Sequence, residues 1–151
     1  MILLMMTILA DPASASPAVL APVAVTQSRS SAVAVGNPLR RVLLNAMRPG
    51  LANAVGQPVE FIVETLQVEG DWAFFMGSIQ QPNGRPIDFS HTAYAERIEL
   101  GAFDGPATVA LMRRVGEQWQ LVDFLVGPTD MGHWAWSDQY GAPSGLLGVG
   151  E

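Results

Sequence analysis

The stretch that most constrains the fold covers residues 107–134 and reads ATVALMRRVGEQWQLVDFLVGPTDMGHW. Apolar residues alternate on both sides of Gly116-Glu117, which is typical of two β-strands joined by a two-residue turn. A type II′ turn at this dipeptide pairs Arg114 with Trp119 and places Asp123 opposite Ala110. The sequence therefore predicts an antiparallel hairpin with one aliphatic face that covers a helix. That face carries Val109, Leu111, Val115, Val122, Phe124 and Val126.

Composition narrows the chemistry that is available. The chain has 151 residues, enough for one domain, and it contains no cysteine. Disulfides, thiolate metal sites and cysteine nucleophiles are therefore excluded. All 8 basic residues are arginines, which also excludes Schiff-base chemistry and a lysine-bearing phosphate loop. The net charge of −6 argues against nucleic acid as a partner, because neutralising phosphates requires a basic face.

The beginning of the sequence predicts export. Residues 1–10 form an almost entirely apolar run that is too short to span a bilayer, and Ala13-Ser14-Ala15 fits the small-residue rule for signal peptidase. We expect a signal peptide cleaved after Ala15, a periplasmic or extracellular protein, and no stable membrane span in the mature chain. No basic residue precedes the apolar run. An apolar terminus without a targeting role is therefore the alternative.

The chain after the signal peptide divides into three parts. Residues 16–36 are rich in Ala, Val, Pro and Ser, which predicts a flexible linker. Residues 37–141 hold the periodic apolar patterns and predict a single α+β domain. Residues 142–151 are rich in glycine, and they predict a frayed tail.

The domain is expected to begin with a helix. Asn37 is a favourable N-cap, and Pro38 suits the first helical position. Pro49-Gly50 ends or kinks the helix, with one more turn open as an extension up to Gly56. The apolar residues recur at helical spacing and form one stripe. They are Leu39, Val42, Leu43, Ala46 and Met47.

Strands are expected to follow the helix. Residues 58–68 alternate with one change of phase, which indicates a bulge near Thr65, and residues 72–81 read as another strand. Asn83-Gly84 favours a tight turn. Residues 86–104 follow no clear period, so a short helix and an irregular crossing both stay open. The predicted fold is α+β, with one main N-terminal helix packed on a curved four- to five-stranded antiparallel sheet built of hairpins and an aromatic C-terminal tail.

Residues 38–127 resemble the nuclear-transport-factor-2-like (SnoaL-like) and cystatin-like α+β superfamily. The resemblance rests on the order helix, strand, strand and terminal hairpin, the last with the sequence RRVGEQWQLVDFLVG. It implies a conical sheet with a pocket between sheet and helix. It carries over no catalytic residues, because such folds host enzymes, binding proteins and assembly modules alike.

Three residues near the exit of the hairpin are candidates for catalysis. Asp123 lies in an otherwise apolar strand, where a pocket carboxylate can act as a general base. A face open to solvent is the alternative. Asp130 and His133 are spaced to serve as an orienting carboxylate and a base. An Asp at such a corner more often accepts backbone N–H bonds two residues on.

Two further groups of residues are candidates for binding. The first concentrates aromatic rings with polar tips in a short segment, as recognition surfaces do. A lid that closes the open end of the sheet is the alternative for this group. The second group lies in the segment without a clear period. The groups are Trp134, Trp136 and Tyr140, and Asp88, His91 and Tyr94.

Two functions from different classes stay open. The first is an exported binding or interaction module for an unknown small molecule, an envelope component or another protein, with a homodimer through the exposed sheet face as one form. The second is a small hydrolase- or isomerase-type enzyme with an acidic residue in a pocket between helix and sheet. The enzyme requires at least two titratable side chains within hydrogen-bond reach inside one pocket. No cofactor is predicted, and no metal site, because the two histidines lack the spacing of paired ligands.

Overall fold

The computed structural model describes residues 29–149, so the predicted signal peptide and most of the predicted linker lie outside the described residues. Five strands form one antiparallel sheet in which each strand pairs with the next along the chain. The predicted α+β class and antiparallel sheet are confirmed. The elements are β1 (Ser31–Ala32), α1 (Pro38–Val55), β2 (Glu60–Glu69), β3 (Trp72–Gln80), α2 (Ala95–Glu99), β4 (Ala107–Val115), β5 (Gln118–Val126), one turn of 3₁₀ helix (Gly132–Ala135) and α3 (Trp136–Tyr140).

Helix α1 begins at the residues that favour a helix start. The Asn37 side chain accepts a hydrogen bond from the Leu39 N–H at 3.0 Å, which satisfies one of the free donors of the first turn. The helix continues through Pro49 and ends at Gly56, whose φ is +65°. Its buried stripe faces the sheet at a spacing of one residue per turn. The stripe consists of Leu43, Met47, Leu51 and Val55.

The first core lies between α1 and one face of the sheet. It joins the α1 stripe to buried strand residues such as Phe75, Ala110 and Met112. Leu121 and Phe124 of β5 pack against the same cluster. The amphipathic helix α1 therefore packs on the apolar face of an antiparallel sheet, which is the layer arrangement of an α+β fold.

The β4–β5 hairpin keeps the predicted register near its turn and loses it further on. Arg114 pairs with Trp119, and its guanidinium carbon lies 5.9 Å from the Trp119 ring centroid. A bulge between Leu111 and Met112 then shifts the pairing, so that Asp123 lies opposite Leu111 and not opposite Ala110. One extra residue on a strand changes the face that the following side chains occupy.

The prediction that Val109 and Leu111 face the helix is wrong. Both residues are buried in a second core on the opposite face of the sheet. Val115, the third β4 member of the predicted face, is exposed. Alternation identifies two faces of a strand, but it does not say which one meets the helix when both carry apolar residues.

The middle of the chain agrees with the sequence at its bulge and its turn. The β2–β3 register shifts between Val63 and Thr65, which confirms the predicted bulge. The Gly84 N–H donates to the Gln81 carbonyl at 2.8 Å, so the predicted turn forms. No strand follows it within residues 86–104, which cross irregularly apart from the short helix α2.

The second core is made by residues 132–149, which we call the capping segment. This segment folds back over the sheet face away from α1 and buries Trp136, Leu146 and Leu147. Their partners on the sheet include Phe74 and Leu111. Up to residue 149 the glycine-rich stretch is therefore packed, and the expectation of a frayed tail is wrong there.

The residues just before α1 also belong to the folded domain. β1 pairs with β2, and the Val33 N–H donates to the Leu66 carbonyl at 2.8 Å. Val33 itself is buried in the first core. The folded part of the chain therefore starts before residue 37, inside the stretch predicted as a linker.

Candidate functional site

A pocket of about 320 Å³ opens between the end of β5, the turn that follows it and the capping segment. It lies on the side of the sheet away from α1, because Asp123 is paired with Leu111 of the second core. Carboxylate, hydroxyl, amide and guanidinium groups share its lining with apolar side chains. The lining residues are Arg97, Asp123, Leu125, Pro128, Thr129, Asp130, Gly132, Trp136 and Gln139.

Asp123 is half-buried on β5, and both of its carboxylate oxygens have partners. Oδ1 accepts a hydrogen bond from the Phe124 N–H at 2.7 Å, and Oδ2 accepts one from the Tyr140 hydroxyl at 2.7 Å. The β4–β5 bulge directs this side chain toward the capping segment and not into the first core. Asp123 therefore joins the sheet to the capping segment at the rim of the pocket.

Asp130 is exposed and closes the turn after β5. Its Oδ1 accepts a hydrogen bond from the Gly132 N–H at 3.0 Å, which is the local bond that an Asp makes two residues on. Glycine at position 132 leaves room there, since a Cβ atom would lie 3.1 Å from Asp130 Oδ1. The turn presents the carboxylate of Asp130 to the same pocket as Asp123.

Arg97 of α2 forms another wall of the pocket. Its guanidinium donates to the Val126 and Gly127 carbonyls, at 3.2 Å in each case, and lies 5.7 Å from the Phe103 ring centroid. These bonds hold α2 against the end of β5. The same pocket therefore has one cationic and two acidic side chains in its lining.

Tyr140 supplies the second titratable group beside Asp123. The hydrogen bond that its hydroxyl donates to the Asp123 carboxylate raises the pKa of Tyr140, because ionising the phenol would place two negative charges together. The raised pKa keeps the proton on the Tyr140 hydroxyl, which donates a hydrogen bond to the Asp123 carboxylate. In that state Asp123 is a hydrogen-bond acceptor at the pocket wall.

His133 does not join Asp130 as a catalytic pair. The ring of His133 is buried in the second core and stacks on Phe74 with a centroid distance of 5.3 Å. Neither ring nitrogen has a hydrogen-bond partner within residues 29–149. Burial lowers the pKa of His133, while the Leu147 backbone and the Asp130 carboxylate act against that shift. The Leu147 backbone is near the ring but lacks the geometry of a hydrogen bond.

The two tryptophans of the capping segment have different environments. Trp136 is buried and lines the pocket, whereas Trp134 is 41% exposed. Trp134 lies on the 3₁₀ turn, and Trp136 begins α3. Trp136 thus behaves as the lid residue that the sequence offered as an alternative, and Trp134 remains available at the surface.

The second predicted binding group stays apart from the pocket. Asp88 and His91 are exposed, and hydrogen bonds from the Ser90 hydroxyl and N–H lower the pKa of Asp88. Tyr94 packs edge-on against Phe89 in an aromatic cluster, where burial raises its pKa. The structure gives these side chains local and packing roles, and none of the three lines the pocket.

A larger and more open groove lies beside α1, with a volume of about 680 Å³. Two of its three arginines are engaged with the protein itself: Arg40 donates to the Val33 carbonyl and Arg48 to the Val59 carbonyl. The Arg48 guanidinium carbon also lies 5.5 Å from the Phe61 ring centroid. These contacts tie α1 to the sheet, so the groove has fewer free polar groups than its sequence indicates.

Among the pocket residues that were not predicted from the sequence, two have long polar side chains, Arg97 and Gln139. Arg97 lies in the segment without a clear period, and its contact with β5 joins residues far apart in the chain. Gln139 follows from the fold of the capping segment, which the sequence indicated to be a tail. The pocket residues that the sequence did offer as candidates are Asp123, Asp130 and Trp136.

Two features are absent from the part of the chain that the structure describes. Residues 29–149 contain no group of three or more His, Asp or Glu side chains placed to hold a metal ion. None of the helices in this range is long and apolar enough to cross a membrane.

Comparison of the chain with protein-family models, curated proteins and solved structures finds no match.

Proposed function

We propose that this protein is a non-catalytic binding module whose ligand is a small polar molecule held in the pocket between β5 and the capping segment. The observation that carries the proposal is that Asp123 and Asp130, which come from different elements, line one concave pocket. Leu125 and the buried Trp136 give the same pocket an apolar wall. Ligand sites commonly combine apolar walls with a few converging polar groups.

The pocket chemistry favours a ligand that donates hydrogen bonds. An ionised carboxylate accepts hydrogen bonds and donates none. The pocket has two carboxylates and one guanidinium, that of Arg97. That guanidinium already donates to two carbonyl groups. The volume of about 320 Å³ is at the small end of ligand pockets. Small amines and polyhydroxy compounds, such as monosaccharides and amino sugars, are therefore the ligand classes to test first.

A thermal-shift screen tests the proposal on the full chain and on variants that keep its shape. A ligand at about 100 times its Kd adds about 2.7 kcal/mol to the free energy of unfolding, which moves the midpoint visibly. Asp130→Asn keeps an acceptor oxygen for the Gly132 N–H. Asp123→Asn keeps one of the two acceptor oxygens that the Phe124 N–H and the Tyr140 hydroxyl use, and both variants remove the charge. We expect an amine or sugar that stabilises the natural protein to stabilise both variants less.

Asp138→Asn is the matched control. Asp138 is an exposed carboxylate of α3 that does not line the pocket, so its variant carries the same change in charge without the change in site. The proposal requires Asp138→Asn to respond like the natural protein. Equal ligand responses in all four proteins would place binding elsewhere and contradict it.

One observation favours the enzymatic alternative. The Asp123 carboxylate and the Tyr140 hydroxyl are two titratable groups 2.7 Å apart, and Asp123 lines the pocket. Such a pair could accept and return a proton during an isomerisation or hydrolysis. It lies on the sheet face away from α1, and not between helix and sheet as the sequence indicated. Product formation from a stabilising ligand, lost in Asp123→Asn, would favour this alternative over simple binding.

Export, the homodimer and the superfamily resemblance stay predictions. The mass of the mature protein purified from its producing cells tests export, since cleavage after Ala15 removes residues 1–15. Light scattering tests the homodimer. The capping segment covers much of the sheet face away from α1, so a dimer through that face would need the part of the sheet that remains open beside Ile62, which is 49% exposed.

A further inference from the structure

His133 is the buried polar side chain that the proposed binding site leaves unexplained. It is 2% exposed, and both of its ring nitrogens lack hydrogen-bond partners within residues 29–149. Buried polar atoms in native proteins nearly always have such partners. A neutral imidazole tolerates this environment at a cost, whereas an imidazolium would bring an uncompensated charge into an apolar core.

The surroundings of His133 are aromatic and apolar on the sides that the sheet and the capping segment present. β3 contributes Phe74, which stacks on the ring, and the capping segment contributes Trp136 at 6.1 Å between ring centroids and the backbone of Leu147. The charged group that acts on the ring is Asp130. Asp130 is exposed and already accepts the Gly132 N–H, so it cannot fully compensate a buried cation.

The capping segment is attached to the sheet mainly by apolar contacts. Its backbone hydrogen bonds are local, such as Gly141 N–H to the Ser137 carbonyl and Leu147 N–H to the Ser144 carbonyl. Between residues 132–149 and the sheet, the described structure contains one hydrogen bond, from Tyr140 to Asp123. Segments held in this way open locally at a lower free energy than the whole domain unfolds.

We propose that His133 is a pH-sensitive latch, and that its protonation releases the capping segment from the sheet. Release uncovers the apolar surface around Phe74 and Leu111 and removes the pocket wall formed by Trp136. The loss of ligand binding on acidification rests on the proposed function. The opening itself does not, because it depends only on the second core.

The direction of the pH effect follows from the environments of the ring. The open segment exposes His133 to water, where its pKa is near 6.5, whereas burial lowers that pKa in the closed state. The open state therefore binds the proton better, and closure is favoured above pH 6.5 and weakened below it. Below pH 6.5 the ratio of open to closed molecules rises by up to about tenfold for each unit of acidification. At pH 5.0 it is therefore up to about 30-fold higher than at neutral pH.

Hydrogen exchange of the ligand-free full chain tests the latch. Exchange of residues 132–149 is measured at pH 7.5, 6.0 and 5.0 and corrected for the intrinsic rates, with peptides from β3 as the internal reference. We expect the corrected exchange of the capping segment to rise up to about 30-fold at pH 5.0 while β3 stays protected. His133→Phe, which keeps a ring in the stack, should remove the pH dependence.

His91→Gln is the matched control, because His91 is the other histidine of the chain and is exposed. It should open like the natural protein. The latch would be overturned if the corrected hydrogen exchange of the capping segment did not change with pH. It would also be overturned if His133→Phe showed the same increase at pH 5.0 as the natural protein. If that variant does not fold, NMR titration of the His133 ring in the natural protein decides: an inflection well below 6.5 supports the latch, and one at 6.5 or above overturns it. If a ligand binds at pH 7.5 but the capping segment does not open at pH 5.0, the latch is rejected and the binding proposal stands. If the segment opens but no ligand binds, the latch stands and the binding proposal is unsupported.

Discussion

Gly127 is the residue at which the end of β5 has the least room. Its φ is +62°, and a Cβ atom added there would lie 2.3 Å from Cε2 of Phe103. The close contact sets α2 and Phe103 directly over the strand end, where Arg97 donates to the Gly127 carbonyl. The position of the pocket wall therefore depends on the absence of a side chain at residue 127.

Gly127→Ala and Gly116→Ala separate the two costs of adding a side chain. Both glycines have a positive φ, but nothing lies within 4 Å of a Cβ atom at Gly116. A left-handed backbone costs an alanine about 1–2 kcal/mol, and overpacking typically adds about 1–3 kcal/mol. We expect Gly127→Ala to lower the free energy of unfolding in urea by the larger amount. Equal losses would show that Phe103 moves aside freely.

The two tyrosines of the chain offer a spectroscopic test of the contact between Asp123 and Tyr140. The Asp123 carboxylate raises the pKa of Tyr140, and burial raises the pKa of Tyr94. In a pH titration followed by phenolate absorbance, both residues should therefore ionise above pH 10, the ordinary pKa of tyrosine. Asp123→Asn should lower the pKa of one tyrosine and leave the other unchanged, because an amide does not repel a phenolate.

The sign of the associated stability effect follows from the same shift. A raised folded-state pKa means that the Tyr140–Asp123 bond contributes stability below pH 10, and that this contribution is lost as the pH rises through the folded pKa. In urea both tyrosines should titrate near 10. An unchanged titration in Asp123→Asn would mean that Tyr140 does not donate to Asp123 in solution.

The two layers that cover the sheet are held by different kinds of contact. α1 packs its stripe against β4 and β5 and is fixed further by arginine bonds to the Val33 and Val59 carbonyls. The capping segment relies on Trp136, Leu146 and Leu147. The first layer is therefore expected to unfold with the domain, and the second to open on its own.

Leu43→Ala and Leu147→Ala test this difference with the same change in volume. Both leucines are almost completely buried, Leu43 under α1 and Leu147 in the capping segment. Leu43→Ala should cost about 2–5 kcal/mol of global stability in urea unfolding. Leu147→Ala should mainly raise hydrogen exchange within residues 132–149. A global loss of the same size in both variants would show that the two layers unfold together.

The limits of sequence-based prediction are also clearest for elements. The turn at Gly116-Glu117 sets the pairing of Arg114 with Trp119, because a two-residue loop allows one register. The bulge beside Leu111 is less clear in the sequence, because Leu121-Val122 and Phe124-Leu125-Val126 place apolar residues at consecutive positions and leave the phase of β5 undefined. Asp123 is a candidate from the sequence because it is a carboxylate in an apolar strand. Its partner Tyr140 and its face of the sheet were not predictable.

At the scale of the whole molecule, one sheet carries two unlike covers. The α+β class and the antiparallel sheet follow from hydrophobic periodicity, which is a local signal. The second cover depends on Leu146 and Leu147 meeting Phe74 and Val109 from a distant strand pair. Its glycine-rich sequence indicates a free tail, because two apolar residues show no period and long-range burial is not encoded in any short stretch.

The pocket is the feature of the whole molecule that this second cover creates. β5 provides Asp123, the turn provides Asp130, and the capping segment provides Gln139. An NMR titration of the ¹⁵N-labelled full chain at pH 7.5, with the amine or sugar that gives the largest thermal shift, tests it most directly. We expect the shifted backbone amides to cluster at Asp123, residues 129–132 and Gln139. Shifts confined to the groove beside α1, around Arg41 and Val42, would contradict it.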